Sequence, residues 1–342
     1  METLPARWLD SPPAGWDALL REDPSGAPGH RPELARAMAA ALPGMTAAWI
    51  AVGATGDPAG GAQVLVERRA GFHWLHAMPF LLGGAPLARV GEHARVDLAV
   101  ASALEERART TGAVGGEWVL YRPGGPDPGA DAMERVGGET RWMESAIVDL
   151  GSGIEAAWGR LEGETRRSIE KARRRGLVFA EAPEAIEEGY HLYASQARTF
   201  AGYRPRPLQL WRRLLEPEAH PHARLFVVRD AHGLLATALA LVGGREAMAW
   251  LTGMDPAGRA VHAFPLLLWS LVEWGAEAGC ARVNLGASAG RDEVAAFKRG
   301  LGARDYRYPV RWLGSSHAGA LGRGLAALQG RLRRGRPRGA SA

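Results

Sequence analysis

Apolar residues recur along the chain at two spacings, and the switches between them mark the elements. Residues 48–52 are a short apolar run, residues 63–67 alternate, and residues 72–78 are again strand-like, with Gly- and Pro-rich turns between them. Leu98, Ala101, Leu104 and Ala108 then fall on one helical face of residues 96–109; Gly112 ends that helix, and residues 117–121 read as a strand. A shorter helical pattern covers residues 32–42. Further on, one helix is predicted over 154–175 (stripe Trp158, Leu161, Thr165, Ile169, Ala172) and another over 183–200, with a short one at 208–215. Residues 283–285 form an apolar strand after Gly279-Cys280, and a helix begins with Asp292 as N-cap. It carries Val294, Phe297 and Leu301 and stops at Gly302. Residues 306–313 read as a last strand, followed by leucines 321, 325, 328 and 332 and a basic end.

The two halves repeat the same order. Aligning residues 47–78 with 223–254 needs no gap and gives nine identities in 32 positions, among them Val52/Val228, Trp74/Trp250 and Met78/Met254. After Met78 the alignment resumes with Leu104/Leu271 and Gly112/Gly279, leaving nine extra residues in the first copy around 80–89. The expectation is a duplicated β-β-β-α-β unit in which Trp74 and Trp250 take matching sheet positions.

The 342 residues are 46% hydrophobic and 23% charged, a globular composition with room for two cores. A single cysteine, Cys280, excludes an internal disulfide and a Cys-based zinc site, and its place after a glycine reads as a buried thiol. No apolar run approaches a membrane span, and no basic-then-apolar leader opens the chain, so a cytoplasmic location is expected. The formal charge of +5 points to an anionic partner, a phosphate-bearing cofactor, a nucleotide-sugar or RNA.

Candidate chemistry concentrates in residues 281–303. Gly286-Ala287-Ser288-Ala289-Gly290 is a small-residue loop between a strand and a helix, where ligands sit in open α/β sheets. It also fits a Gly-x-Ser-x-Gly nucleophile elbow, but Asp292, Asp305 and His317 leave too little chain for a hydrolase to complete its triad. Of 42 basic residues only Lys171 and Lys298 are lysines, so Lys298 stands out as a compact point charge that arginine does not replace. His73 and His76 are an odd step apart on a strand and cannot share a metal; no metal, paired-carboxylate or Walker pattern is expected.

Several segments resemble the Fem family of peptidyl and aminoacyl transferases within the GNAT superfamily, and its FemAB-like and BioF2-like relatives. They are TRRSIEKARRRGLVF, LYASQARTFAGYRPRP, MAWLTGMD, VNLGAS and AAFKRGLGA, the last a Phe-Lys-x-x-x-Gly motif, with MPFLLGGAPLA in the first copy. The sequence departs from the family where Asn284 replaces a more usual acidic residue, and it lacks the coiled-coil arm of some members. The resemblance implies an α/β (α+β) protein with tandem GNAT-like domains, mixed and mostly antiparallel sheets flanked by helices. The domains expected are 1–150 and 151–316, with a helix and basic tail at 317–342 returning to the first.

The implied activity is acyl or aminoacyl transfer to an amine, with Lys298 catalytic and Arg166, Arg173, Tyr203, Trp250, Thr252, Asn284, Ser288 and Phe297 binding substrate. No cofactor is bound tightly; the donor is aminoacyl-tRNA or acyl-CoA. An acyl-CoA-dependent N-acetyltransferase and a non-catalytic binding protein of the same fold remain the alternatives. Residues 258–264 and 91–94 both lack the glycine-rich diphosphate cradle of acyl-CoA enzymes, which favours the first and last of these readings.

Overall fold

The computed structural model describes residues 4–69, 71–78, 82–128, 130–136, 138–200 and 203–313. In the first copy the order is β1 (Ala6–Leu9), α1 (Trp16–Glu22), α2 (Pro32–Ala41), β2 (Met45–Ala54), β3 (Asp57–Arg69), β4 (Phe72–Ala77), β5 (Leu87–Ala88), α3 (His93–Thr111), β6 (Gly115–Val119), α4 (Ala130–Arg135) and β7 (Thr140–Asp149). The second copy repeats it with α5 (Ile154–Gly159), α6 (Gly163–Arg174), β8 (Val178–Glu181), α7 (Ile186–Ala197), α8 (Leu208–Leu214), β9 (Ala223–Asp230), β10 (Gly233–Gly243), β11 (Glu246–Met254), α9 (Pro256–Ala260), α10 (Ala263–Glu277), β12 (Arg282–Asn284), α11 (Asp292–Gly300) and β13 (Arg304–Leu313).

These strands form one mixed sheet in the order β1-β2-β3-β4-β6-β13-β7-β12-β11-β10-β9-β8, with β5 alongside β3. Each copy's last strand is exchanged. β13 pairs with β6 of the first copy, β7 pairs with β12 of the second, and the two lie antiparallel at the centre. The exchange is two-fold in register, since Asn284 faces Ile147 where Glu117 faces Trp312. Neither copy therefore completes its sheet alone. Residues 1–150 expressed by themselves are expected to aggregate or dimerise, because β6 and β7 lose the strand that separates them. A folded monomer by size-exclusion chromatography and circular dichroism would contradict this.

The repeat holds residue by residue in the first hairpin. Val52 faces Gly60 and Gly53 faces Pro58, which bulges Ala59; Val228 faces Ala236 and Arg229 faces Leu234, which bulges the aligned Leu235. It slips in the third strand. Trp74 faces Glu67, but the residue aligned with Glu67, Gly243, faces Glu246 rather than Trp250. The expected equivalence of Trp74 and Trp250 is thus corrected: they share a strand position in the sheet order, not a register. The physical reason is local. Glu246 is fully buried and bonded to Arg282 and Tyr121, and the Arg245 N–H donates to Gly26 O at 3.0 Å, so β11 is pinned at its first residue.

Other elements also differ from expectation. The helix predicted over 154–175 breaks after Gly159, because Glu162 N–H turns away to donate to Gly300 O at 3.0 Å. Asp292 is the first helical residue of α11, with Arg291 as N-cap. Strand β7, for which no element was predicted, lies at the sheet's centre. The 321–332 leucine stripe and the tail at 317–342 lie outside the described residues, as do residues 80 and 81 of the first-copy insertion.

Helices cover both faces. One face packs Ala146, Val148, Val283, Leu285 and α10 around Leu267, Trp269 and Val272. The other packs Leu225, Leu239, Leu241, Met248 and Leu251 against Tyr193, Trp211 and α2. Every side chain from Leu266 to Val272 on α10 is buried, so the middle of this helix is covered on all sides. No helix among the described residues is long and apolar enough to cross a membrane.

Candidate active site

Strand β12 pairs with β11 only over Arg282–Asn284 against Glu246–Met248. Beyond Asn284 its bonds go to β7 instead: Leu285 N–H donates to Ala146 O at 2.8 Å, and Ala146 N–H to Gly286 O at 3.0 Å. Strand β11 runs on to Met254, so the sheet splays between its second half and the 286–290 loop. A register shift between Leu239 and Ala240 leaves Trp250 as the extra residue of β11 and bends that strand away. The loop needs left-handed backbone at Gly286 (φ 78°) and Gly290 (φ 71°), which glycine adopts freely. Ala289 (φ 52°), and His262 (φ 61°) at the entry to α10, adopt it at a steric cost. They are two of the three non-glycine residues in that region among the described residues.

Lys298 reaches over the 286–290 loop from α11. It is 7% exposed, and its Nζ donates to Gly286 O and Ala287 O, both at 2.8 Å. Burial pulls its pKa down to about 8, against the upward pull of Asp305 and Glu144. From the other side Asn284, fully buried, accepts the Gly286 N–H at 2.8 Å through Oδ1. Its Nδ2 donates to Tyr121 Oη (3.0 Å) and Glu246 Oε1 (3.2 Å). This accounts for the departure from an acidic residue at 284: Glu246 already supplies the carboxylate, and a second one would meet it as a like charge in the core. The loop is held between an amide and an ammonium.

Phe297 stacks on Phe264 at the start of α10, with ring centroids 5.9 Å apart, joining α11 to α10. Ser288 is buried, and no histidine or carboxylate bonds to it among the described residues. Thr252 lies on β11 beyond the last β12 partner. Tyr203 sits on the rim, its hydroxyl 3.1 Å from that of Tyr193. The same rim reaches the loop through Arg291, whose guanidinium lies 5.3 Å over Phe200.

Three expected binding residues point elsewhere. Trp250 packs into the core on the α7 side. Arg166 donates to the carbonyls of Trp158, Gly159 and Leu161, and Arg173 forms a two-pronged pair with Glu273 at 2.7 Å. The groups that sequence reasoning missed, Glu144 and Asp305, lie on the two central strands. The alternation Met143, Ser145, Ile147 was the available signal for β7, blurred by Trp142 and Val148 on the other face.

In the first copy β4 stays paired with β6 to its last residue, Ala77, and the region beyond is filled. Tyr121 N–H donates to Gly84 O at 2.9 Å, and Gly83 sits so close that a Cβ there would be 2.8 Å from the Tyr121 ring. Arg122 and Asp97, both 1% exposed as side chains, tie that loop to α3. Hollows of about 350 Å³ at Trp8, Ser102 and Arg107 and about 360 Å³ at Arg36, Thr46 and Trp49 are lined by first-copy residues alone. No group of His, Cys, Asp and Glu suited to hold a metal occurs among the described residues.

Residues 160–307 match the acetyltransferase (GNAT) domain family. No curated protein matches the chain in sequence. Among solved structures, FemX is 13% identical with a TM-score of 0.68, over 89% of this chain and 96% of that one. A tandem GNAT protein from the clavulanic acid biosynthesis pathway is 16% identical with a TM-score of 0.53, over 91% and 99%. L-PGS from Bacillus licheniformis is 15% identical with a TM-score of 0.52, over 94% and 98%. The chain thus has the tandem fold seen in FemX and in the tandem GNAT protein, and within its second half residues 160–307 match the GNAT domain family.

Proposed function

We propose that the protein transfers an acyl or aminoacyl group to an amine, forming an amide, at the 286–290 loop, where the sheet splays beyond Asn284. The observation that carries this reading is the Lys298 ammonium, buried and fixed on two backbone carbonyls where the sheet splays. Attack on an ester or thioester builds negative charge on the carbonyl oxygen, and a fixed cation in a partly dry site stabilises it.

The donor we favour is an aminoacyl-tRNA. Gly258, the sole glycine of residues 258–264, already donates its N–H to Asp255 O at 3.0 Å, so it is not free to cradle a diphosphate. The entry to α10 is nonetheless basic. Arg175 donates to Ala260 O, and burial followed by Lys171 and Arg175 lowers the pKa of His262. Such a surface suits a nucleic-acid backbone. An acyl-CoA donor is the second reading, favoured by the family match over 160–307.

The two separate in one comparison. Millimolar acetyl-CoA is expected to give no marked thermal shift and no acyl transfer, whereas alanyl-tRNA supports transfer to an amine acceptor. A clear shift with acetyl-CoA, together with acetylated product, would put the acetyltransferase first. Turnover with neither donor would leave a binding protein.

A further inference from the structure

We propose that Glu144 is the carboxylate that receives the acceptor's amine and takes its proton during acyl transfer. The inference rests on the reading of the 286–290 loop as an amide-forming site.

Its geometry is set by one carbonyl. Gly286 O accepts both the Ala146 N–H of β7 and the Lys298 ammonium, so the ammonium stands over β7 at Ala146. Side chains alternate along a strand, and Ala146 faces the α10 core; Glu144, two residues earlier, is on that same face. The register puts Asp305 opposite Ala146 and Arg307 opposite Glu144. The charged groups around Glu144 are therefore Asp305 and Arg307 from β13 and Lys298 and Arg299 from α11.

Each of these four side chains already has a partner. Asp305 is paired with Arg299 at 3.2 Å, and Lys298 with its two carbonyls. Arg307, the natural cross-strand partner of Glu144, lies 4.8 Å over the Trp142 ring instead. Glu144 is exposed and has no hydrogen bond or ion pair among the described residues. Beside it, on the same face of β7, Trp142 is 53% exposed with the Arg307 guanidinium over its ring. A carboxylate left unpaired next to the cation that would hold the acyl oxygen is placed for the other reactant, the amine. Its field is felt at Lys298, whose pKa it and Asp305 raise against burial.

The step balances as follows. The acceptor arrives as an ammonium paired with Glu144 and releases one proton to water, which frees its lone pair. That pair forms the C–N bond to the acyl carbon. The second proton passes from nitrogen to Glu144. The C–O or C–S bond to the donor breaks with its electrons on the leaving atom, and Glu144 returns the proton to that atom.

Two measurements on the full chain decide it. The first uses n-butylammonium as probe and isotope-labelled lysine as reporter, since the chain has only Lys171 and Lys298. The probe is expected to shift the Lys298 ε signal in the parent, to leave it unmoved in Glu144→Gln, and to leave Lys171 unmoved in both. An unmoved parent signal, or an equal response in the variant, overturns the proposal. The second compares transfer to a lysyl peptide with whichever donor turns over. Glu144→Gln should raise the acceptor KM tenfold or more, Glu144→Asp should recover part of the loss, and the donor KM should stay put. An acceptor KM within threefold of the parent in Glu144→Gln also overturns it. Absence of transfer with an intact butylammonium response sinks the proposed reaction while leaving Glu144 as the amine's docking group.

Discussion

Lys298→Met is expected to lower the transfer rate by on the order of a hundredfold, the usual effect of removing one charge-stabilising donor, about 3 kcal/mol. Lys298→Arg should lose much of the same rate although the charge remains. The planar guanidinium cannot place its donors where a tetrahedral ammonium bonded to Gly286 O and Ala287 O does. The Met variant also strands the Ala287 carbonyl, so a stability loss of about 1–2 kcal/mol should accompany it. That loss follows from the residue's burial, at 7% exposure.

The pH dependence follows from a Lys298 pKa pulled down to about 8. If the ammonium is the working form, the rate falls as pH rises through about 8. Stability moves the other way. The cost of burying the charge is present in full below about pH 8 and fades between there and the unfolded value of 10.5. Single-turnover rates and urea midpoints across this window check both signs. Turnover of Lys298→Met within a few-fold of the parent would place the site elsewhere.

Glu246→Ala is expected to cost about 3–5 kcal/mol, the range for breaking a buried ion pair from one side. Glu246 is fully buried and accepts from Arg282 Nε at 2.6 Å and from Tyr121 Oη at 2.7 Å. Arg282 goes on to donate to Pro24 O (2.9 Å) and Gly26 O (3.1 Å), so the pair ties the first copy's α1–α2 loop to the second copy's strands. Burial, then Glu246, holds the Tyr121 phenol well above its usual pKa, which keeps it a donor. Glu246→Gln keeps the shape but leaves the Arg282 charge without its counter-ion, and should lose an intermediate amount. Urea unfolding followed by tryptophan fluorescence reads both, and a Glu246→Ala loss below about 1 kcal/mol would mean that water replaces the carboxylate at no net cost.

What the sequence determined by itself was whatever local pattern controls. The period-two runs at 63–67 and 72–78, the helical stripe from Leu98 to Ala108 and the Gly112 stop all appear where periodicity and backbone freedom put them. So does the repeat through the first hairpin of each copy, down to the aligned bulges at Ala59 and Leu235. Lys298 was legible because one lysine among arginines needs no structure to be noticed, and the loop before it because small residues between a strand and a helix are rare without a reason.

The tertiary structure decided everything that depends on partners distant in sequence. Trp74 and Trp250 align as letters, yet the buried Glu246–Arg282 pair shifts β11 and separates them. Arg166 and Arg173 looked like free cations on a basic helix, but Trp158 and Glu273 take them up. Strand β7 was invisible because its pattern is broken by its place at the centre. One face is buried under Tyr306 and Tyr308 while the other stays open at Trp142 and Glu144, and its neighbour on one side comes from the opposite end of the chain. An exchanged strand is specified by pairing across some 160 residues, and no window on the sequence spans that contact.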